Sequence, residues 1–313
     1  MYKQITVSKD GSGMYRNIQT AVNSLSGEKT EILIAPGVYR EKILIEQPGV
    51  TLRNAGEGEV VLVWNDGSDT LDETGKMLGT FRSYSFKVTG YEFQAIGITF
   101  QNDYGYGRGE GANCGQAVAA FIDCDRASFY GCRFFGSQDT LYTGRADGHS
   151  QYYKDCYILG DIDFIFGGGN VYFDHCTIES VDRNAEFTVE DVDGYFNGYL
   201  TAASTDLNTK YGYVFADCDL ISQAAPATVY LGRPWRDYSA TNFIRCNMGA
   251  HIHPAGWAKW TKSERHKTCR YAEYDNYGEG SQPERRADFC KYLTDAEAAE
   301  LTIENVCGDW VKK

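Results

Sequence analysis

Hydrophobic residues in this chain fall in short runs separated by Gly, Pro, Asn and Asp, a pattern that predicts an all-β protein. Strand-like runs occupy, among other stretches, residues 31–39, 42–46, 50–52, 60–64, 85–88 and 93–100. They follow one another without helical interruption, which argues against alternating strands and helices. One stretch before them has the apolar spacing of a helix, which predicts a short helix that caps the open end of a solenoid. Its apolar positions are Ile18, Ala21, Val22 and Leu25.

The same unit recurs at the centre of the chain. Cys132 and Cys156 are 24 residues apart, and so are Asp139 and Asp163. A fixed period of this length with strand-like content indicates a solenoid whose turns stack. Residues of equal phase on neighbouring turns then lie one strand spacing apart, roughly 5 Å. The repeat therefore predicts that the two carboxyl groups meet, as a nucleophile and a general acid do.

Each of these chemical signals also has an ordinary structural explanation. Single Asp residues are common in turns, where they are solvated or cap the backbone. Gln116 and Gln138 could donate hydrogen bonds to an oxyanion, or could belong to a ladder of amides that satisfies neighbouring turns. Arg233 could hold a carboxylate in its charged form, while Trp235 offers a face for a sugar ring. The alternative is a structural Arg stacked on Trp at a turn.

Near the C terminus, Thr294 and Glu297 form a capping box for a helix that continues through Asn305. We expect this segment to pack along the outside of the solenoid. The sequence thus predicts a single domain over residues 1–313, with a core at about 5–280 and a C-terminal tail and helix at 281–313.

Net charge and hydropathy limit the kinds of partner that this protein is expected to bind. The formal net charge of the 313 residues is −13, which argues against nucleic acid or an anionic membrane as a partner, and an acidic substrate would need a locally basic cleft. No apolar run approaches the length of a membrane span. The N terminus leads within a few residues into domain-like sequence, from which we predict a cytoplasmic location. The alternative is a secreted protein whose signal has been removed.

Ten cysteines are present, and six of them lie in strand-like runs: Cys124, Cys132, Cys156, Cys176, Cys218 and Cys246. We interpret these six as an interior ladder of small buried thiols rather than as disulfides. Paired C-x-x-C spacing is absent, which argues against a zinc site. The sequence also lacks the G-x-S-x-G, P-loop, G-x-G-x-x-G and H-E-x-x-H motifs.

Four blocks of the sequence, in this order, resemble the signature motifs of the pectin methylesterase (pectinesterase) family: residues 115–119, 138–142, 160–167 and 231–235. Weaker similarity covers about residues 5–280. The resemblance implies a single right-handed parallel β-helix. It also implies hydrolysis of the C6 methyl ester of galacturonate in pectin or methylated oligogalacturonides, with release of methanol and without a metal or cofactor. We further expect a monomer.

By resemblance, Asp163 is the nucleophile and Asp139 is the acid that protonates departing methanol and then activates water. Gln116, helped by Gln138, would hold the oxyanion, and Arg233 would keep Asp163 charged. Sugar-contacting positions are matched by Trp235 and Phe166, with Trp257 as a further candidate. A longer insertion at residues 143–150 carries Arg145, which could meet a free galacturonate carboxylate.

Two other functional classes remain open at this point. A β-helix lyase or glycosidase acting on polygalacturonate could also use two carboxylates, but the blocks with Gln116 and Arg233 fit ester chemistry better. A carbohydrate-binding solenoid without activity would need no acid pair, so the presence of both Asp139 and Asp163 argues against it.

Overall fold

Successive strands run along three faces and then return to the first, so each circuit of the chain stacks on the one before. The structure is a computed structural model that describes residues 3–104, 115–145, 148–183, 189–191 and 194–311. Its long sheets are parallel throughout, and each strand pairs with its counterpart from the adjacent circuit. This is a parallel β-helix, as the sequence predicts.

The first sheet has eleven strands: Lys3–Val7, Thr30–Ile34, Val50–Asn54, Gln94–Ile96, Ala127–Tyr130, Ser150–Lys154, Asn170–Asp174, Tyr213–Ala216, Ala240–Ile244, Arg270–Tyr274 and Cys290–Tyr292. The second sheet has eight: Gly37–Arg40, Val60–Trp64, Ile98–Asn102, Arg133–Phe135, Tyr157–Gly160, Thr177–Ser180, Asp219–Ser222 and Asn247–Met248. The third sheet has seven: Ile43–Ile45, Phe86–Val88, Ala120–Ile122, Leu141–Tyr142, Ile162–Gly167, Gly198–Ala203 and Val229–Gly232. Val189–Asp191 and Gly194–Phe196 form a separate antiparallel pair.

The register of the third sheet confirms the predicted repeat. Leu141 pairs with Ile165 and Tyr142 with Phe166, each partner lying 24 residues further along the chain. Asp139 lies two residues before Leu141, and Asp163 lies two residues before Ile165. The amide of Asp139 donates to the carbonyl of Ile162 at 3.1 Å. The two acidic residues therefore occupy equivalent places on neighbouring turns.

The corner between the first and second sheets is made by one residue with a left-handed backbone. In successive turns this residue stands directly before a cysteine: Gly131, Asp155, His175, Asp217 and Arg245, with φ between 51° and 55°. Glycine adopts this conformation freely, and Asp and His adopt it more readily than most residues do. The short Asp-Cys and His-Cys pairs in the sequence mark these corners.

Aromatic rings and thiols form parallel stacks in the interior. Phe129, Tyr153, Phe173, Phe215 and Phe243 lie face to face, with ring centroids 4.3–4.9 Å apart. Beside them runs a line of buried thiols that interact in succession: Cys132, Cys156, Cys176, Cys218 and Cys246. All nine cysteines in the described residues are free. The predicted ladder of buried thiols is confirmed for these five. Cys124, the sixth predicted member, is buried and free but precedes the strand Ala127–Tyr130 and lies outside the line.

A short helix, Ile18–Asn23, covers the N-terminal end of the coil as predicted. Its apolar side is buried, and the carboxylate of Glu41 accepts the amide protons of Ile18 and Gln19 at 3.0 Å each. Glu41 therefore satisfies backbone donors that lack a partner within the helix. Across the described residues, no helix is long and apolar enough to cross a membrane.

The C-terminal segment packs on the outer side of the first sheet, where Leu301, Val306 and Cys307 contact Tyr152 and neighbouring residues. The predicted capping box is present, because Thr294 and Glu297 each bond to the other's backbone amide. The single helix expected through Asn305 is wrong, however. The chain forms two short helices, Asp295–Ala299 and Ile303–Cys307, and Thr302 caps the second one.

A buried ion pair joins the last turns of the coil. Arg286 and Glu273 have side chains that are 1% and 2% exposed, and their Nε and Oε1 atoms lie 2.9 Å apart. Glu273 also accepts a hydrogen bond from Trp257 at 3.0 Å, while Arg286 donates to the carbonyls of Pro254 and Gly280. Removing either partner leaves a buried charge without compensation.

We expect Arg286→Ala to lower the free energy of unfolding by about 3–5 kcal/mol, because it leaves Glu273 charged and buried. The matched control is Arg245→Ala, which removes two hydrogen bonds to Asp217. Both side chains lie near the surface, with 39% and 34% of their area exposed. That change should cost less than about 1 kcal/mol. Urea unfolding measures both values, and equal losses would contradict the assigned role of the buried pair.

Candidate active site

A cavity of about 340 Å³ opens on the third sheet and collects most of the residues singled out from the sequence. It is lined by Thr80, Phe81, Gln116, Gln138, Asp139, Asp163, Phe166, Ala202, Arg233, Trp235 and Trp260. Seven of the nine predicted site residues lie here, although they come from segments more than a hundred residues apart in the chain.

Asp139 and Asp163 reach the cavity from the same kind of backbone turn. Both have a left-handed φ, 65° and 51°, and both are buried, with 8% and 6% of their surface exposed. The register with the following strand shifts between Ile162 and Ile165, so Asp163 lies at an irregularity of the ladder. Such irregularities redirect a side chain that would otherwise follow the alternation of the strand.

Arg233 holds Asp163 through two parallel hydrogen bonds. Nε donates to Oδ1 at 2.9 Å, and Nη2 donates to Oδ2 at 2.8 Å. The guanidinium is itself placed between two rings, with its carbon 3.9 Å from the ring centroid of Tyr199 and 4.5 Å from that of Trp260. This two-point geometry is the strong form of an Arg–carboxylate contact.

The two carboxyl groups differ in their electrostatic surroundings. Burial raises the pKa of Asp139 well above its usual range, the charge of Asp163 raises it further, and Arg233 only partly opposes the rise. Burial also raises the pKa of Asp163, but there Arg233 opposes the rise both as a charge and as a hydrogen-bond donor. The surroundings therefore favour the charged form more at Asp163, which Arg233 holds at two points, and the protonated form more at Asp139.

A third buried carboxyl lies next to the pair. Asp161 accepts a hydrogen bond from the amide of Ile162 at 2.6 Å and has the guanidinium of Arg183 3.4 Å away. Burial raises the pKa of Asp161, and the charge of Arg183 opposes this. Asp161 adds to the negative field at Asp139, a contribution that the sequence reasoning missed.

Gln116 is held so that its amide nitrogen can serve a ligand. The hydroxyl of Ser68 donates to its Oε1 at 2.8 Å, and the amide of Ser68 donates to its carbonyl at 2.8 Å. With Oε1 occupied, the NH₂ group is the part that remains to donate. Gln138 lines the cavity on the next turn, where its carbonyl accepts the amide of Ala117. Ser68 carries no motif that would have singled it out.

Aromatic residues form the walls. Phe166 and Trp235 line the cavity as expected, with their rings edge to face at 5.9 Å. Phe81 and Trp260 line it too and were not predicted. Trp260 lies in the Gly-Trp-Ala-Lys-Trp stretch at residues 256–260, within the region of weaker family similarity, so the sequence did carry a signal for it. Phe81 lies in a short 3₁₀ turn, Thr80–Arg82, that resembles no motif.

Two expected sugar contacts lie elsewhere. Trp257 is only 2% exposed and stacks in the interior on Tyr271, at a centroid distance of 4.2 Å, so it cannot meet a sugar in the cavity. The bridge between Gly232 and Trp257 sets this inward direction. Arg145 does not line the cavity and lies 3.4 Å from Asp123, with a largely exposed side chain. Part of its insertion, residues 146–147, falls outside the described residues.

Within the described ranges, no group of three or more His, Cys, Asp or Glu side chains is arranged to hold a metal ion. The polar side chains that line the cavity comprise two carboxyls, one guanidinium, two amides and the hydroxyl of Thr80. The carboxyls, guanidinium and amides form a set suited to an ester carbonyl and its leaving group.

The family model described as Pectinesterase matches residues 4–309. The chain belongs to the pectinesterase family. It is 33% identical over 309 residues to Pectinesterase 31 of Arabidopsis thaliana, covering 96% of this chain and 90% of that protein. Among solved structures it is similar to pectin methylesterase PemA from Erwinia chrysanthemi, with a TM-score of 0.86, 28% identity and coverage of 100% and 99%.

Another similar structure is a pectin methylesterase mutant in complex with a hexasaccharide, at a TM-score of 0.85 and 29% identity, covering 100% of this chain and 99% of that one. The family, the enzyme class and the β-helix fold expected from the sequence are confirmed. The predicted cytoplasmic location is wrong, because the curated relatives that the chain matches are pectinesterases of Arabidopsis thaliana, and none of these matches supports a location in the cytoplasm. That prediction rested on where the sequence begins, which carries no information about location.

The raised pKa of Asp139 has a consequence for stability. An acid whose pKa is higher in the folded state binds more protons there than in the unfolded chain, so its contribution to stability falls as pH rises above the unfolded value. We expect Asp139→Asn, which has no charge to bury, to gain stability over the wild type between pH 4 and pH 7. The gain should be at most about 1.4 kcal/mol per pH unit. Unfolding curves at both pH values measure it, and a pH-independent difference would refute the raised pKa.

Proposed function

We propose that this protein hydrolyses the C6 methyl ester of galacturonate in pectin, releasing methanol and leaving a free carboxylate on the polymer. The proposal rests above all on the charged Asp163, held by Arg233 beside a second, protonated carboxyl. That combination supplies a nucleophile and an acid at one place.

In the first step, Asp163 attacks the ester carbonyl. Each of its oxygens accepts one hydrogen bond from Arg233, and a carboxylate oxygen has a second lone pair that stays available for attack. The C–O bond that forms gives a tetrahedral intermediate. When this collapses, the bond to the methoxy group breaks, and an acyl–Asp163 intermediate remains.

Asp139 transfers protons in both halves of the reaction. Because its pKa is raised, Asp139 is the carboxyl suited to hold a proton and to give it to the departing methoxy oxygen, so methanol leaves as a neutral molecule. As a carboxylate, Asp139 then takes a proton from water while the water oxygen attacks the acyl carbonyl. Asp163 leaves as a carboxylate and Asp139 is protonated again, so the enzyme returns to its starting state. The new carboxylic acid on the sugar releases its proton to water and becomes the free carboxylate.

The negative oxygen of each tetrahedral intermediate needs donors that are already in position. Gln116 meets this requirement, because Ser68 fixes its Oε1 and its NH₂ group is left for the substrate. Gln138, one turn further along, is the second amide on this wall. Donors that are held in place before the reaction stabilise developing charge without rearrangement.

The aromatic walls suit a sugar substrate. Phe166, Trp235, Phe81 and Trp260 offer apolar faces around the polar centre, and sugar rings bind well to such faces. Support also comes from the relatives, which are named pectinesterases, and from the similar pectin methylesterase that was solved with a hexasaccharide.

We expect Asp163→Asn to lose methanol release from methylated pectin by at least about 10³-fold, because an amide cannot act as the nucleophile. Asn tolerates the left-handed backbone at this position, so the fold should be kept. The matched control is Asp155→Asn, an exposed aspartate with the same φ of 51° that lies outside the cavity, which should leave the rate unchanged. Retention of most activity in Asp163→Asn would reject the nucleophile assignment.

Gln116→Ala should lower kcat by about 10²-fold with a much smaller change in KM, because the donor acts on charge that develops during the reaction. Gln101→Ala, a half-buried glutamine on the second sheet, serves as the control. Steady-state kinetics on methylated pectin separate the two parameters. An increase confined to KM would place Gln116 in substrate binding instead of oxyanion stabilisation.

A further inference from the structure

A surface depression borders the cavity and is rich in positive charge. It is formed by Lys259, Trp260, Thr261, Lys262, Ser263, Glu264, His266 and Lys267, and we call residues 259–267 the basic rim. Three lysines and Arg265 stand here against one acid, Glu264, on a chain whose formal net charge is −13. Such a local reversal of charge is what an acidic ligand needs in order to approach an acidic protein.

The basic rim is continuous with the cavity through one side chain. Trp260 lines both depressions, and its ring lies against the guanidinium of Arg233, which holds Asp163. A polymer seated on the ester-hydrolysing centre therefore meets the basic rim on leaving the cavity past Trp260.

Two of the lysines are available to a ligand. Lys259 and Lys262 are exposed, and neither forms an ion pair with any of the residues that the structure describes. Lys267 differs, because it is paired with Glu264. Arg265 is half-buried, with its guanidinium carbon 5.6 Å from the ring centroid of Trp260, and the charge of Lys259 also acts on Glu264. The exposed lysines of the basic rim that lie outside any ion pair are thus Lys259 and Lys262, one residue before and two residues after Trp260.

The reaction itself generates the complementary ligand, since each hydrolysed ester leaves one carboxylate on the chain. Resting on the proposed function, we propose that Lys259 and Lys262 bind free galacturonate carboxylates beside the reacting ester, so that the basic rim selects partly de-esterified pectin. Methyl esters at the same sugars carry no charge and would gain nothing from these lysines.

The test compares two ligands on one protein. Binding of fully de-esterified hexagalacturonate and of its fully methylated counterpart is measured by calorimetry, in the Asp163→Asn background so that neither ligand changes. Adding Lys259→Gln and Lys262→Gln should weaken binding of the acidic ligand by about three- to tenfold, the size expected for two exposed ion pairs. Binding of the methylated ligand should stay the same, and high salt should remove the difference.

Two control variants make the result specific. Lys3→Gln with Lys76→Gln removes the same charge from exposed lysines far along the chain from the basic rim and should leave acidic-ligand binding intact. Lys259→Arg with Lys262→Arg keeps the charge and should retain the affinity. An equal loss for both ligands, or no loss for the acidic one, would overturn the proposal. Absence of methanol release by the wild type would instead reject the proposed function, and the binding of the acidic ligand would still test the basic rim.

Discussion

The register between stacked turns is the constraint on which this protein depends. Backbone hydrogen bonds from one circuit to the next hold every side chain at a fixed phase, so rings stack on rings and thiols on thiols through the interior. The same register brings Asp139 and Asp163 to one place on neighbouring turns. A slip by one residue would reverse the direction of every side chain in a strand. The same slip would therefore disrupt the core and separate the acid pair.

Within that frame, a single guanidinium gives two similar aspartates different protonation states. Both are buried by the same kind of turn, and burial favours the neutral form of each. Arg233 bonds to Asp163 alone, so the negative charge settles there and its repulsion keeps the proton on Asp139. Position relative to this arginine accounts for most of the difference, and the charge of Asp161 adds to it by further raising the pKa of Asp139.

Much of this arrangement could be predicted from the sequence, because a period of 24 residues carries geometric information. The repeat predicted both the stacked fold and the meeting of the two aspartates. Arg233, 70 residues after Asp163, belongs to no such period, and its contact could be expected only by resemblance. Trp257 and Trp260 show a second limit, because composition does not reveal which of two nearby indoles faces inward. The pairing of Trp257 with Gly232 decides that. Phe81 lines the cavity from a short 3₁₀ turn and Ser68 holds Gln116 from a loop, and neither segment carries a recognisable sequence pattern.

The stacked thiols have a consequence for the chemistry of the folded chain under oxidising conditions. In most proteins an oxidised cysteine must wait for a distant partner to approach, but here each sulfur already touches the next one along the axis. Only the close packing of the interior keeps peroxide and other oxidants away from them. An oxidant that reached the stack would therefore find a second thiol beside the first, and two neighbouring thiols can be joined as a disulfide while the oxidant is reduced.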